Sequence, residues 1–565
     1  MKKLFAAIMA SVILTGTLQI QASGSENLIA HWDFENINGN TASDTVTKEA
    51  LADIKASEFN TVNGYFGSTV ELNSESGGTI ELQRNVYGEM LKGASGITVS
   101  SMVKIKNPSA AMEVIIQIPG DGYMGLEFYV RNNMLGCGVR SSEADPYSRV
   151  ETAFPNDGLW HYAACTVDYP NREAVLYIDG IEAARKTMTS FSEDSYQMNV
   201  SKTTSEKMGG VNILTDELKI YKTALTADEV LAYMPPVLWL RPGVREDNVL
   251  TDLAGYDNNA AIAAPDYYDA VGIEGSSLAF DSTDNSSVTM SPGGLYRQLD
   301  KAPAVTAAFW CRRRQNPSGD RRLIFISTSV NSVCFEVYMR PDGNIRIGGR
   351  SAKAGGSYTS TDKYWGANFS GVLTDNDWHF ITATLDYSNR KAVLYKDGTL
   401  FKEILTPDNA GTNLYLQSPF LDMGPSAGNA DTMNPGEIVF DDLKLFKRAL
   451  SDDEVINLYN ESPSALMYFT QDGAVTEPSR LTGDAVLNFM LKAGEHGNTA
   501  KIIQVRSNSE TGAPESVAVK TYADLQPRYT QDTLPVSIMP GSILRILTLD
   551  KLYNASALRN DIIIN

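Results

Sequence analysis

The chain has 565 residues, 43% of them apolar, and its 68 acidic against 48 basic side chains give a formal charge of −20. That length exceeds one domain, and that apolar content excludes extended disorder. The negative charge disfavours polyanionic partners such as nucleic acid.

The N-terminus reads MKKLFAAIMASVILTGTLQIQASG. Lys2 and Lys3 precede a short apolar run to Leu18. The run is shorter than the roughly 20 residues a spanning helix needs. It predicts a secretory signal peptide over 1–22 and a secreted, extracellular or cell-surface mature chain. No cysteine follows the run, which argues against a lipid anchor, and no later segment is long enough to span a bilayer.

The next 440 residues are written twice. GSTVEL at 67–72 returns as GSSLAF at 275–280, and ITVSSMV at 97–103 as VTAAFWC at 305–311. LWHYAACTVDYPNREAVLYIDG at 159–180 returns as DWHFITATLDYSNRKAVLYKDG at 377–398, and TDELKIYKTALTADEV from Thr215 as FDDLKLFKRALSDDEV from Phe440. The spacing grows by short insertions, which belong in loops. One falls before Trp378 and holds SYTSTDKYWGANFSG. Two repeats follow, 23–234 and 235–462, with an unrelated unit over 463–565.

Within each repeat, short segments alternate apolar and polar and are punctuated by Gly, Asn, Asp and Pro, the pattern of β-strands. Asp179-Gly180 and Asp397-Gly398 suit tight hairpin turns. The helix signal comes last: Thr226-x-x-Glu229 and Ser451-x-x-Glu454 are capping boxes. Short strands closed by one helical turn predict a two-sheet jelly roll. Cys137 and Cys165 lie in the first repeat, Cys311 and Cys334 in the second. They allow bridges 137–165 and 311–334, or four buried thiols.

GSSLAFDSTDNSSVTM, VTAAFWCRR, the Trp-His hairpin and FDDLKLFKRALSDDEVINLY resemble the concanavalin A-like, laminin-G-like domains of secreted bacterial proteins. The resemblance covers both repeats. It implies an all-β chain of two tandem jelly-roll sandwiches, and a role in binding glycans, proteins or calcium or in spacing other modules. The strands AVLNFMLKA, AKIIQVRSN, ESVAVKTYA, LPVSIMPGSILRILTLD and DIIIN make 463–565 similar to the small immunoglobulin-like sandwiches that end such proteins.

The Trp-His pairs, Trp160-His161 and Trp378-His379, offer an acid–base group. No partner or nucleophile motif accompanies them, so they read as core. The Glu-x-Asp-x-x-Glu strand of the glucanases that share this fold does not occur, nor does a zinc or phosphate motif. Asp44 and Asp252 are equivalent, as are Asp216 and Asp441. Each repeat thus has one Asp early and one late, and a jelly roll makes its first and last strands neighbours, so these carboxylates are candidate calcium ligands. The resemblance places the family's usual metal there, with Asn73 and Asp281 as further oxygens. Asp33 and Glu35 correspond to Arg241 and Gly243, an exchange that disfavours a cation in the second repeat. The other reading is solvated turn carboxylates.

Aromatic loops are the candidate glycan surface, because sugar C–H faces stack on flat rings. Tyr358, Tyr364, Trp365 and Phe369 crowd the second repeat's insertion, and Tyr267 and Tyr268 lie in APDYYDA. Tyr147 and Phe154 occupy the shorter loop of the first. Arg140 and Arg350 are equivalent and suit hydroxyls or carboxylates. Arg312, Arg313, Arg314, Arg321 and Arg322 read as a solvated hairpin, or as a site for a sulfated or uronic glycan. The resulting expectation is a secreted, non-catalytic carbohydrate-binding protein, supported by calcium. The alternatives are an adhesion or scaffold protein contacting protein partners, and a glycoside hydrolase or lyase.

Overall fold

The computed structural model describes residues 27–48, 51–55, 59–72, 79–82, 86–91, 93–120, 123–140, 147–188, 207–256, 258–263, 267–273, 276–280, 287–290, 294–313, 320–327, 333–350, 364–406, 420–423, 438–461, 465–472, 474–476, 481–492, 499–525, 529–549 and 562–564. The signal-peptide segment, Asn73, Asp281, Arg314 and Tyr358 lie outside these residues, and so do the side chains of Tyr267 and Tyr268. The chain divides into two compact units, Met1–Pro235 with Ala254–Asp257 and Pro236–Leu253 with Asn258–Asn565.

In the first repeat, six antiparallel strands run in the spatial order Leu28–Trp32, Ile213–Tyr221, Gly96–Ile105, Trp160–Asp168, Glu173–Ile178, Ile181–Thr187. A nine-stranded sheet contains Ser148–Ala153, Met134–Val139, Tyr123–Arg131 and Glu113–Gly120 in that order at one end. The core between them takes Val99, Ile116, Phe128, Leu135, Cys165 and Leu176. First and last strands pair, as a jelly roll requires: Leu28 with Tyr221 and Trp32 with Leu218.

The second repeat has the same order, with two differences. Ser276–Phe280 pairs with the closing strand, whereas its counterpart Ser68–Leu72 pairs, among the described residues, only with Phe59–Asn63. Leu238–Glu246 bends at Pro242-Gly243 and pairs with Ile438–Phe446 at one end and Val249–Asp252 at the other, so both sheets hydrogen-bond through it. A register shift between Leu240 and Arg245 marks the bend. Both capping boxes form, at Thr226 and Ser451. A second short helix in each repeat, Val86–Leu91 and Gly294–Leu299, has no capping box in the sequence. The four cysteines are buried free thiols, and that of Cys165 hydrogen-bonds Cys137. No helix among the described residues is long and apolar enough to cross a membrane.

The last hundred residues form a sandwich of two four-stranded sheets around Met467, Phe469, Leu487, Phe489, Ile502 and Ile546. It packs on the second repeat through Trp310, which stacks on Tyr459 at 5.9 Å and meets the Tyr529 edge at 6.1 Å. Lys492 Nζ donates to the carbonyls of Tyr459 (3.0 Å) and Asn460 (3.3 Å), capping the helix Asp452–Asn460. Arg312, expected in solvent, is buried here instead. Its guanidinium lies 5.3 Å from the Trp378 ring centre and 5.2 Å from that of Tyr468. Arg313, Arg321 and Arg322 are buried too, Arg313 donating to the Asp375 carbonyl. Aromatic rings and backbone oxygens replace the water the sequence reading assumed.

The Trp-His hairpin is an ionic clasp. His161 Nδ1 lies 2.9 Å from Asp179 Oδ2 and Nε2 lies 3.1 Å from Asp157 Oδ1, all buried or nearly so. His379 sits equally between Asp397 and Asp375, at 2.8 Å each. Burial acts to lower both pKa values, but the two carboxylates outweigh it and push each histidine up to about 9. Asp179 and Asp397 adopt φ of 50° and 53°, followed by Gly180 and Gly398 at positive φ, which makes the turn. Raised histidine pKa values give stability that is complete below the unfolded value near 6.5 and lost as pH rises through about 9. Each clasp should lose on the order of 2 kcal/mol over that window. Thermal midpoints between pH 6 and 10 should therefore fall less steeply in His161→Gln and His379→Gln than in the parent chain. Equal slopes would rule out a charged clasp.

Candidate functional site

Strand alternation divides Tyr123–Arg131 between two faces. Leu126, Phe128 and Val130 enter the core, and Glu127, Tyr129 and Arg131 take the outer face. On the neighbouring Met134–Val139, Leu135, Cys137 and Val139 are buried, which leaves Gly136 and Gly138 on the outer face. These glycines make a shelf. A Cβ at Gly138 would collide with the phenol of Tyr147, and one at Gly136 with the ring of Tyr129.

Tyr147, half-buried, and Tyr129, fully buried, thus lie over the two glycines, each tied to a carboxylate. Tyr147 Oη donates to Glu127, which also accepts from Gln117 Nε2 at 2.9 Å. Tyr129 Oη donates to Glu151 Oε1 at 2.8 Å. Burial, then the adjacent carboxylate, pushes both phenols up, so both remain donors. Arg149 lies 5.4 Å from the Tyr147 ring centre and Arg131 5.9 Å from that of Tyr129. Both arginines approach Glu151, at 3.9 and 3.4 Å.

The second repeat rebuilds this face with exchanges. Glu336 and Tyr338 take the places of Glu127 and Tyr129, and Gly348 that of Gly138. Tyr364 lies over Gly348, where a Cβ would collide with its hydroxyl, and that hydroxyl donates to Glu336. Arg346 replaces Gly136, and its guanidinium lies over Gly366, 5.5 Å from the Tyr338 ring centre and 5.1 Å from that of Tyr364. Arg322, in register with Tyr338, lies 3.8 Å from the Phe325 ring centre. Burial pushes the Glu336 carboxyl up.

The expected site residues separate accordingly. Tyr147 and Tyr364 are equivalent members of the outer faces. They stand immediately before the paired strands Ser148–Ala153 and Trp365–Phe369. Trp365 follows the opposite parity, with buried Ala367 and Phe369, and stays half-buried. Phe154 and Phe369 are core residues. Arg140 and Arg350 end their strands with the parity of the shelf glycines, and each has its Nε enclosed without a hydrogen bond. Glu127 and Glu336, which no motif singled out, are the centres of the two faces.

The four aspartates engage different loops. Asp44 accepts from the backbone N–H groups of His31, Val46 and Thr47, from the Thr47 hydroxyl and from Tyr87 Oη. Asp252 accepts from Trp239 N and Asn258 N. Asp216 takes Tyr65 N, Phe66 N and Glu217 N, and Asp441 takes Ile273 N and Asp442 N. Burial raises the pKa of both, that of Asp441 to about 8. Oxygens that hold peptide N–H groups in this way brace the closing strand. Among the described residues no group of three or more His, Cys, Asp or Glu is placed to hold a metal ion. Trp239 and Arg241 stand where the first repeat has His31 and Asp33: the His31–Glu217 contact of 2.8 Å gives way to Trp239 Nε1 donating to Asp442 at 2.6 Å, with Arg241 3.4 Å from the same carboxylate.

The family model described as the concanavalin A-like lectin/glucanases superfamily, Laminin_G_3, matches residues 75–231 and 282–456. No curated protein matches the chain. Among solved structures, the botulinum neurotoxin serotype D binding domain aligns at 15% identity over 57% of this chain and 86% of that one, with a TM-score of 0.31. The binding domain of Paraclostridial Mosquitocidal Protein 1 gives 12%, 66%, 76% and 0.30. Domain 4 of AbnA, a GH43 extracellular arabinanase from Geobacillus stearothermophilus solved with arabinotriose, gives 23%, 36%, 96% and 0.28. Scores at this level carry no inference about this chain.

Gly348→Ala should push Tyr364 off the sheet and strip Glu336 of its phenol, at a cost of about 1–2 kcal/mol in chemical denaturation. Once Tyr364→Ala has removed the ring, the same substitution should cost far less. Additive costs in this double-mutant cycle would mean that the ring does not rest on the glycine.

Proposed function

The chain belongs to the concanavalin A-like lectin/glucanase superfamily through its two laminin G-like repeats, and on that premise we propose that it is a non-catalytic carbohydrate-binding protein that uses the outer faces of its larger sheets. One observation carries the reading. The same assembly, a tyrosine whose phenol lies over a glycine with its hydroxyl on a glutamate, occurs in both repeats: Tyr147, Gly138 and Glu127 in the first, Tyr364, Gly348 and Glu336 in the second. A half-exposed ring fixed on a sheet offers an apolar plane to a sugar's C–H face, and the arginines around it offer donors to hydroxyls. In the second repeat, Glu336 is held by Tyr364, with Arg322 and Arg346 as its charged neighbours. Glycoside hydrolysis instead calls for two carboxylates flanking a bond. The secreted or cell-surface location that the N-terminus predicts would give such faces access to polysaccharide.

A glycan array probed with the full chain should identify bound saccharides. Tyr147→Ala and Tyr364→Ala should each weaken binding about tenfold, and together should abolish it. Unchanged binding by a folded double variant would overturn the assignment to these faces. Binding to no glycan at all would overturn the carbohydrate reading in favour of a protein-adhesion role.

A further inference from the structure

The two faces differ in how their guanidinium groups are satisfied. In the first repeat, Glu151 lies in the centre of the arginines, 3.4 Å from Arg131 and 3.9 Å from Arg149. In the second, Asn368 occupies the place of Glu151, as its pairing with Arg346 shows. At the same time Gly136 becomes Arg346 and Val114 becomes Arg322. Gly366 stands where the first repeat has Arg149, and Asp422 where it has Lys207. The face thus loses the carboxylate at its centre and moves its cationic side chains toward Arg346.

Arg346 is held without being neutralised. It lies between the Tyr338 and Tyr364 rings over Gly366, with its Nε enclosed and without a hydrogen bond. Among the described residues it forms no ion pair with a carboxylate. Arg340 approaches only Asp320, at 4.0 Å, beyond hydrogen-bonding distance, and Arg350 also has an unbonded, enclosed Nε. Among the described residues, Arg346 and Arg350 therefore carry no bonded carboxylate, on a chain whose net charge is −20.

We propose that the outer face of the second repeat binds an acidic saccharide, one carrying carboxylate or sulfate groups, with Arg346 as the residue that recognises the oxyanion. The proposal rests on the carbohydrate-binding reading above and names its substrate class. A guanidinium already immobilised by stacking loses little freedom when it takes up two parallel bonds to an oxyanion, and Arg does this where Lys does not. The sugar ring attached to that oxyanion meets Tyr364.

The test uses the full chain and calorimetric titration with three probes: an oligogalacturonate, a sulfated oligosaccharide, and the methyl-esterified, uncharged form of the first. At least one acidic probe should bind, and should weaken about tenfold as salt is raised from about 50 to about 500 mM. Arg346→Gln should lower that affinity about tenfold and Arg346→Lys by about half as much on a logarithmic scale, because a point charge keeps attraction but not the fork. Arg340→Gln, at the end of its strand, provides a second folded variant with a smaller loss expected. Preference between the carboxylate and sulfate probes assigns the oxyanion. Equal binding of the uncharged probe, or parent-like affinity in a folded Arg346→Gln, would overturn the acidic specificity while leaving carbohydrate binding intact. Failure of every probe here, together with a blank glycan array, would remove both readings.

Discussion

An imidazolium held between two carboxylates fixes the hairpin on which each repeat is assembled. Removing a charge from water is costly unless a partner charge and its hydrogen bonds go with it. Asp179 supplies three things at once: it accepts from the histidine, caps the Tyr162 N–H at 3.0 Å, and takes the left-handed conformation that turns the chain. Asp397 does the same for His379 and Phe380. Charge, turn and register are therefore set by one residue. Neither partner can change alone without leaving an unpaired charge among apolar neighbours. The strands it anchors, Trp160–Asp168 and His379–Asp386, pair with Gly96–Ile105 and Ala304–Arg313, so the clasp sets the alternation from which the core is filled.

The outer faces of the larger sheets are under no such constraint. A residue there touches its cross-strand neighbours and solvent, and the core beneath does not depend on it. That explains why two repeats with superimposable strand order can exchange Gly136 for Arg346 and Glu151 for Asn368 while both keep the tyrosine, the glycine beneath it and the glutamate. The retained trio shapes the surface; the exchanged positions alter its charge. The closing strand separates structure from surface in the same way. Asp216 and Asp441 are fully buried and hold peptide N–H groups, whereas their neighbours Glu217 and Asp442, at φ of 51° and 46°, exchange partners between His31 with Lys219 and Trp239 with Arg241.

Elements set by local chemistry were legible in the sequence. The Asp-Gly turns, the capping boxes at Thr226 and Ser451, and the duplication itself depend on residues close in sequence or on direct repetition. The places of Tyr147 and Tyr364 beside a strand edge are legible as loop positions, but the glycine and glutamate that each of them meets are not, because those partners lie on other strands. The glutamates at the centres of the faces were overlooked although the signal was present: Glu127, Tyr129 and Arg131 return as Glu336, Tyr338 and Arg340, all of one parity, which marks a polar row on one side of a strand. Asp157 and Asp375 escaped notice because they reach their histidines from the preceding turn. The burial of Arg312 could not be read from its own repeat, since Tyr468, one of the two rings that cover it, belongs to the C-terminal sandwich.

That covering also bears on where a ligand can bind. On Ala304–Arg313, the parity that points away from the core brings Trp310 and Arg312 against Tyr459, Tyr468 and Tyr529. Lys492 is enclosed between two rings and two helix-terminal carbonyls, and burial pulls its pKa down to about 8. Tyr468 Oη adds a bond of 2.8 Å to Asp377, and Gln531 donates to the same carboxylate. A junction that buries two cations against aromatic rings resists opening, because each would have to be rehydrated while the rings lost their packing. The back of the second repeat is therefore occupied by the chain itself at this strand. Arg346 and Tyr364 lie on the other sheet, and that sheet is the one whose charge pattern differs between the repeats.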